Sequence, residues 1–469
     1  MFRMKISTTF ALAALIVALS GSGYAAYAAA SRLLPKNSVG SAQVIDGSLQ
    51  KGDFGKKTIA ALAGARGQRG PQGPAGLPGL PGAQGQKGDP GAPGAAGQPG
   101  AQGEPGLPGT SILRGDPGTN ALTALDTLGN VGIETSSTIG ADARGLISYY
   151  DATNGDLKVA HCNDDACTSA TKTTVDSGGD VGHHSSIALG ADGLGLISYR
   201  NATNGALKVA HCNNASCTSA GVSTLSLLGA DYTSLTIGKD GLGLISYRSA
   251  AGALHVAHCD NTACTSAGFT VIDNAGDVGY FTSAAIGADG LGLVSYRDFT
   301  NGHLKIAHCS DVDCTGATTT AIDPAANVGA YTSVTVGADG LGLVSYYDVT
   351  NQNLKAAHCA NLACTSAGVS TLATTGITGQ YTSVTLGADG LGLISYLSAT
   401  GLSVAHCNDV VCSNASLFAV DTAGSVGGHT SVTVGPDGLP LIGYYDFANA
   451  DLKVAHCSNS FCAPYFRRR

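Results

Sequence analysis

The chain has 469 residues, of which 67 are glycine and none is tryptophan, and only 12% are charged. Its formal net charge of −8 is divided: residues 1–111 carry 10 Lys+Arg against 4 Asp+Glu, and the remainder carries 15 against 29. The acidic main body excludes a nucleic-acid surface, which needs clustered Lys and Arg, and the length exceeds what one compact domain usually holds.

At the N-terminus, Arg3 and Lys5 precede a short apolar run, Thr9–Leu19, and Ala26-Tyr27-Ala28 offers the small residues of a cleavage site. Residues 1–28 therefore read as a signal peptide or an N-terminal membrane anchor, although the apolar run is short for a membrane span. Export places the protein in the medium or on the cell surface, where cysteines oxidise. Residues 29–63 read as a linker.

From Gly64 to Gly109 every third residue is glycine, sixteen triplets without a break. Three polyproline-II chains wind together only if the residue at their shared axis lacks a side chain, which demands this period. Pro78, Pro81, Pro90, Pro93, Pro99, Pro105 and Pro108 fill the third triplet position and pre-set the backbone. A single such strand has no internal hydrogen bonds, so the expected partner is the protein itself, a homotrimer wound through Gly64–Ser111. The triplets, with the preceding segment Leu34–Phe54, resemble bacterial collagen-like surface proteins. That resemblance implies a cell-surface or secreted location and no catalytic activity.

Residues 112–469 are dominated by a repeat. A His-Cys pair recurs seven times, at His161, His211, His258, His308, His358, His406 and His456, at spacings of roughly 50 residues. In the second unit, strands are predicted at Ser185–Gly190, Leu194–Arg200, Leu207–Cys212 and Ser219–Leu225, separated by Asp-Gly and Asn-Gly turns. Four antiparallel strands per unit make one propeller blade, so the expected fold is an all-β, seven-bladed β-propeller behind a collagen-like stalk. The seventh unit runs out of sequence before a good fourth strand. Ala124–Ala143 matches Ala321–Gly340, so a strand near residues 121–126 is expected to complete the last blade and close the ring. The second strand, as in DGLGLISYR, resembles the BNR or sialidase-type repeat, but the Asp-box tryptophan is missing, so the resemblance implies architecture and not sialidase chemistry.

All 14 cysteines lie in these units as C-x4-C pairs. Export and even pairing favour disulfides at Cys162–Cys167, Cys212–Cys217, Cys259–Cys264, Cys309–Cys314, Cys359–Cys364, Cys407–Cys412 and Cys457–Cys462. Zinc is the rival, but His161 and Cys162 are adjacent on a strand and point to opposite faces. The seven histidines share a strand face with Leu157- and Val159-type positions and are expected to be structural, each bonding a neighbouring backbone group. No cofactor or metal is expected, although acidic loops such as Asn163–Asp165 offer calcium-type oxygens.

No catalytic constellation stands out. Glycosidase chemistry needs two spaced carboxylates, and the chain has only Glu104 and Glu134 as glutamates, while aspartates such as Asp192, Asp240 and Asp289 sit in hairpin turns. Departures from the repeat, including His183-His184, read as surface-loop drift. Each unit ends its second strand with a tyrosine expected to pack. The residue after it, Tyr150, Arg200, Arg248, Arg297, Tyr347 or Tyr445 in six of the units, is expected to face solvent and is the candidate binding position for a glycan or protein ligand. The favoured expectation is an exported trimeric recognition or adhesion protein. A secreted polysaccharide hydrolase or lyase and a structural coat component are the alternatives.

Overall fold

The computed structural model describes residues 119–463; the expectations for the export segment, the linker and the Gly-X-Y triplets lie outside them. Within these residues 28 strands, numbered β1–β28 in chain order, form seven four-stranded antiparallel sheets: a seven-bladed β-propeller. Among the described residues no helix is long and apolar enough to cross a membrane.

Blade 1 shows the plan. β2 (Val131–Ile139), β3 (Gly145–Asp151), β4 (Asp156–Cys162) and β5 (Ala170–Asp176) pair in sequence order, and the first strand of every blade lies innermost, against its counterparts. Blade 7 consists of β26 (Val426–Val434), β27 (Pro440–Asp446) and β28 (Asp451–His456). Its outer strand is β1 (Ala121–Asp126), paired with β28 from Ala121↔His456 to Asp126↔Leu452. The ring is thus closed by backbone hydrogen bonds between the two ends of the head.

Each hydrophobic cluster spans two consecutive blades. Leu146, Leu157 and Val159 of blade 1 pack with Val181, Ile197 and Tyr199 of blade 2, and at the seam Leu125, Leu441 and Leu452 meet Val131, Ile147 and Tyr149. The second strands are covered on both faces, so every residue of GLISYYD is buried. Their opening glycine is a space requirement: a Cβ on Gly145 would stand 2.6 Å from Leu441 Cδ2 and 2.8 Å from Cys162 Sγ.

The packing tyrosines carry a buried polar tie between blades. Tyr149 Oη donates to Asp126 Oδ2 (2.7 Å), and Lys158 Nζ donates to the same oxygen (2.6 Å). Asp126 ends the outer strand of one blade, while Tyr149 and Lys158 belong to the next. The group recurs with Asp176, Asp273, Asp323 and Asp421 as acceptors. In the two remaining places Ser226 and Ala373 replace the aspartate, and His255 and Ser403 replace the lysine. Acid and base are absent together, as expected when neither charge can be buried alone.

All seven C-x4-C pairs form disulfides, with Cα–Cα distances of 4.8–4.9 Å. Each clips the turn from third to fourth strand, whose second cysteine adopts a left-handed φ of 49–53°. The acidic turn Asn163–Asp165 is taken up locally: Asp164 Oδ1 accepts from Thr168 N (2.9 Å), and Asp165 pairs with Arg144.

The histidines differ from expectation in their partner, which is a carboxylate and not a backbone group. His161 Nε2 lies 2.7 Å from Oδ2 of Asp142, whose Oδ1 accepts from Arg144 N in the hairpin turn. The other six pairs span 2.8–2.9 Å, with hydrogen-bond geometry at His211, His308 and His456 and close approach without it at His258, His358 and His406. One aspartate thus shapes the first hairpin and fastens it to the third strand, which explains why the turn Asp and the His before Cys repeat together.

Candidate functional site

The innermost strands leave their regular ladder at one place. In blade 2 the pairing with the second strand shifts between Val181 and His183 and again between His183 and Ser186, and His184 in that bulge has a φ of 53°. Six further bulges put Glu134, Tyr232, Phe281, Tyr331, Tyr381 and His429 at φ 48–56°. A left-handed backbone costs a side-chain-bearing residue on the order of 1 kcal/mol. Glycine would relieve that cost, yet all seven positions carry large side chains: one Glu, one Phe, two His and three Tyr.

The bulges are held by a ring of hydrogen bonds around the axis. The Thr or Ser that follows each bulge residue bonds back to the preceding blade, as Thr233 Oγ1 donates to His184 O (2.7 Å) and Ser185 Oγ to Glu134 O (3.1 Å). The next serine accepts from the following blade's backbone, as Ser136 Oγ does from Ile187 N (3.1 Å). At the seam Ser431 Oγ accepts from Ser137 N (2.8 Å), so the ring is complete.

These seven side chains line an axial pocket of about 170 Å³. They divide into two arcs. Tyr232, Phe281, Tyr331 and Tyr381 occupy four consecutive blades, flanked by the His184 and His429 rings, with neighbouring centroids 4.4–4.8 Å apart and planes tilted by 35–52°. A tilt close to the turn between successive blades means that the rings lean on one another like vanes, a favourable tilted geometry. Glu134, His184 and His429 form the second arc, across the seam. Glu134 Oε2 accepts from His184 N (2.5 Å), and Oε1 lies 3.1 Å from His184 Nδ1.

Burial alone would raise the Glu134 carboxyl, but the charge and hydrogen bonds of His184 override it and hold the group at about 2. Burial would also lower the His184 imidazole, and Glu134 raises it instead. His429, buried without such a bond, is lowered to about 4 and is neutral at physiological pH. The pocket therefore offers an ion pair, a neutral imidazole, tyrosine hydroxyls and an aromatic wall, the mixture that orients a small polar ligand.

The candidate binding residues lie at the pocket's end of the blades but do not line it. Tyr150, Arg297, Tyr347 and Tyr445 are buried, contrary to the expectation that they face solvent. Three of the candidates tie their blade to the residue ahead of the next inner strand: Tyr150 Oη donates to Asp180 (2.7 Å), Arg248 Nη2 to Asp277 (2.6 Å) and Tyr445 Oη to Asn130 (2.7 Å). Arg200 Nη1 pairs with Asp231 at 3.1 Å. Arg297 has Asn327 in place of a carboxylate, and its Nε has no partner. His183-His184 is not surface drift: His183 lies against the Tyr150 ring (4.0 Å) and His184 forms part of the pocket wall.

Fold and site together define a β-propeller with an axial pocket, preceded in sequence by a glycine-triplet segment. Residues 61–121 match the collagen triple helix repeat family. The match runs beyond Ser111 to include Gly115 and Gly118, which return to the three-residue phase after Ile112. A sequence search of curated proteins gave no match. Among solved structures, the hydrazine synthase of Kuenenia stuttgartiensis is similar at 13% identity over 70% of this chain and 96% of that one, with a TM-score of 0.52. The NanB sialidase of Streptococcus pneumoniae is similar at 11% identity over 71% and 69%, with a TM-score of 0.43. A protein of unknown function from Dyadobacter fermentans gives 10%, 71%, 96% and 0.43. At these identities the likeness concerns the fold, which by itself carries no function.

Proposed function

We propose that the chain is an exported homotrimer, wound through its glycine triplets, whose three propeller heads recognise a ligand outside the cell or at its surface through their axial pockets. The observation that carries this reading is the ring of seven strained positions: large side chains of four residue types converge on one axial pocket from left-handed backbone, and strain concentrates at functional sites. The collagen-repeat match supports the trimer. Three tethered heads can gain 10²–10⁴ in apparent affinity over one, so a small pocket suffices. Enzymatic action on a polysaccharide draws less support. Glu134 is the one carboxylate in the pocket lining, and it is bonded to His184, whereas such hydrolysis generally uses two carboxyl groups.

The test is binding of the full-length protein to a glycan and extracellular-matrix array. The expected result is a restricted set of positive spots that weaken at least tenfold in both Tyr331→Ala and Glu134→Gln. An array without positive spots, or spots indifferent to both substitutions, would remove the axial pocket from the account.

A further inference from the structure

The polypeptide enters the head at a defined place. Ser458 N donates to Asn120 Oδ1 (3.0 Å) and Asn120 Nδ2 donates to Cys462 O (3.3 Å), so the incoming chain is clamped to the cysteine turn of blade 7. That turn lies at the opposite end of the blades from the pocket. The bulges sit near the start of each inner strand, whereas the cysteine turns follow third strands that run antiparallel to the second and end beside the first hairpin.

Around this point the surface departs from sevenfold sameness. The two residues before the second cysteine are Asp165-Ala166, Ala215-Ser216, Thr262-Ala263 and Val312-Asp313 in blades 1–4, and none of these is a large exposed apolar side chain. In blades 5–7 the turns present Leu362 (44% exposed), Val410 (42%), Val411 (43%) and Phe461 (43%). The Phe461 ring of blade 7 lies against the His406 ring of blade 6, with centroids 4.4 Å apart. On the outer strands the exposed apolar position of Leu417 and Leu122 is shared by Val222, Phe269 and Val369 of blades 2, 3 and 5, so the asymmetry lies in the turns. The turns of three adjoining blades thus present apolar side chains at one end of the head, beside the point where the chain comes in.

We propose that these turns are the surface through which the three heads of one molecule pack against each other, an inference that rests on the trimer proposed above. Eleven residues, 110–120, join Gly109 to Ala121, a reach of at most about 40 Å, so a wound stalk holds three copies of these turns close together. Short tethers give effective concentrations in the millimolar range, at which a modest apolar contact suffices. The occupant is a second copy, because the tether brings copies of this region together whatever else is present. Packing the heads here leaves the pocket end of each one free.

The experiment uses the full-length protein with Leu362→Asp and Val410→Asp combined. Both side chains are exposed, so the fold is expected to survive, which is checked by an unchanged thermal midpoint. Single-particle electron microscopy of the unsubstituted trimer is expected to show the three heads in one cluster. In the double variant the heads separate, while the sedimenting mass remains that of three chains. Trimers with independent heads before substitution, or a cluster that survives it, would overturn the packing and leave the trimer standing. A single-chain mass would overturn the trimer itself.

Discussion

Full reduction of the seven disulfides is expected to unfold the head at physiological temperature. Each bond joins cysteines five residues apart, and closing so short a loop restricts the unfolded chain by about 2 kcal/mol. Seven such terms approach about 14 kcal/mol, comparable with the ~5–15 kcal/mol by which a whole domain is stable. Every cysteine side chain is fully buried, so reduction must await local opening and should proceed slowly unless denaturant is present. Circular dichroism after complete reduction, with thiols counted, should show no cooperative melt. A cooperative transition near the oxidised midpoint, with fourteen free thiols, would refute the role given to these bonds.

The second large effect is expected at the seam. Asp126→Ala removes the acceptor of Tyr149 and Lys158 from the strand that closes the ring, leaving a mostly buried ammonium whose remaining carboxylate, Asp151, stands 3.7 Å away, a change at the lower end of the about 3–5 kcal/mol that breaking a buried pair costs. The same group, with Asp348 in the place of Asp151, occurs within the continuous chain at Asp323. Asp323→Ala should therefore cost less, since its two blades stay covalently joined and neither depends on β1. The pH dependence has a definite sign. Burial by itself would raise the Asp126 carboxyl, but Lys158 and Tyr149 outweigh it and the group is lowered. A carboxyl lowered on folding contributes stability that is present above its unfolded value of about 3.9 and is lost as pH falls through the folded value. Denaturation curves of Asp126→Ala and the unsubstituted protein should differ most near neutrality and converge in strong acid. A gap independent of pH, or Asp323→Ala as costly as Asp126→Ala, would contradict the argument.

The parts of this fold that were legible in sequence are those governed by strict period. The spacing of the histidines gave the blade count, the C-x4-C pairs marked the third turns, and the orphan segment matching Ala321–Gly340 pointed to the closing strand. The axial pocket was hidden for a physical reason. Alternation in blade 2 begins at Ser185, whereas the strand begins at Val181, because the bulge at His184 shifts the side-chain phase. The residues that define the pocket therefore look like loop drift. A usable signal was present in the repeated Thr/Ser-Ser that follows each bulge residue, constant while the residue before it changes. The histidine partners were missed because Asp142 and His161 are nineteen residues apart, and only the folded hairpin brings them together. Tyr150 and its counterparts look exposed from strand alternation, but a neighbouring blade covers both faces of the sheet.

Sedimentation equilibrium of the full-length protein and of a version lacking Gly64–Gly109 bears most directly on the proposal that one molecule carries three heads. The full-length protein should sediment with the mass of three chains and the shortened one with the mass of one. A single-chain mass for both would contradict the account.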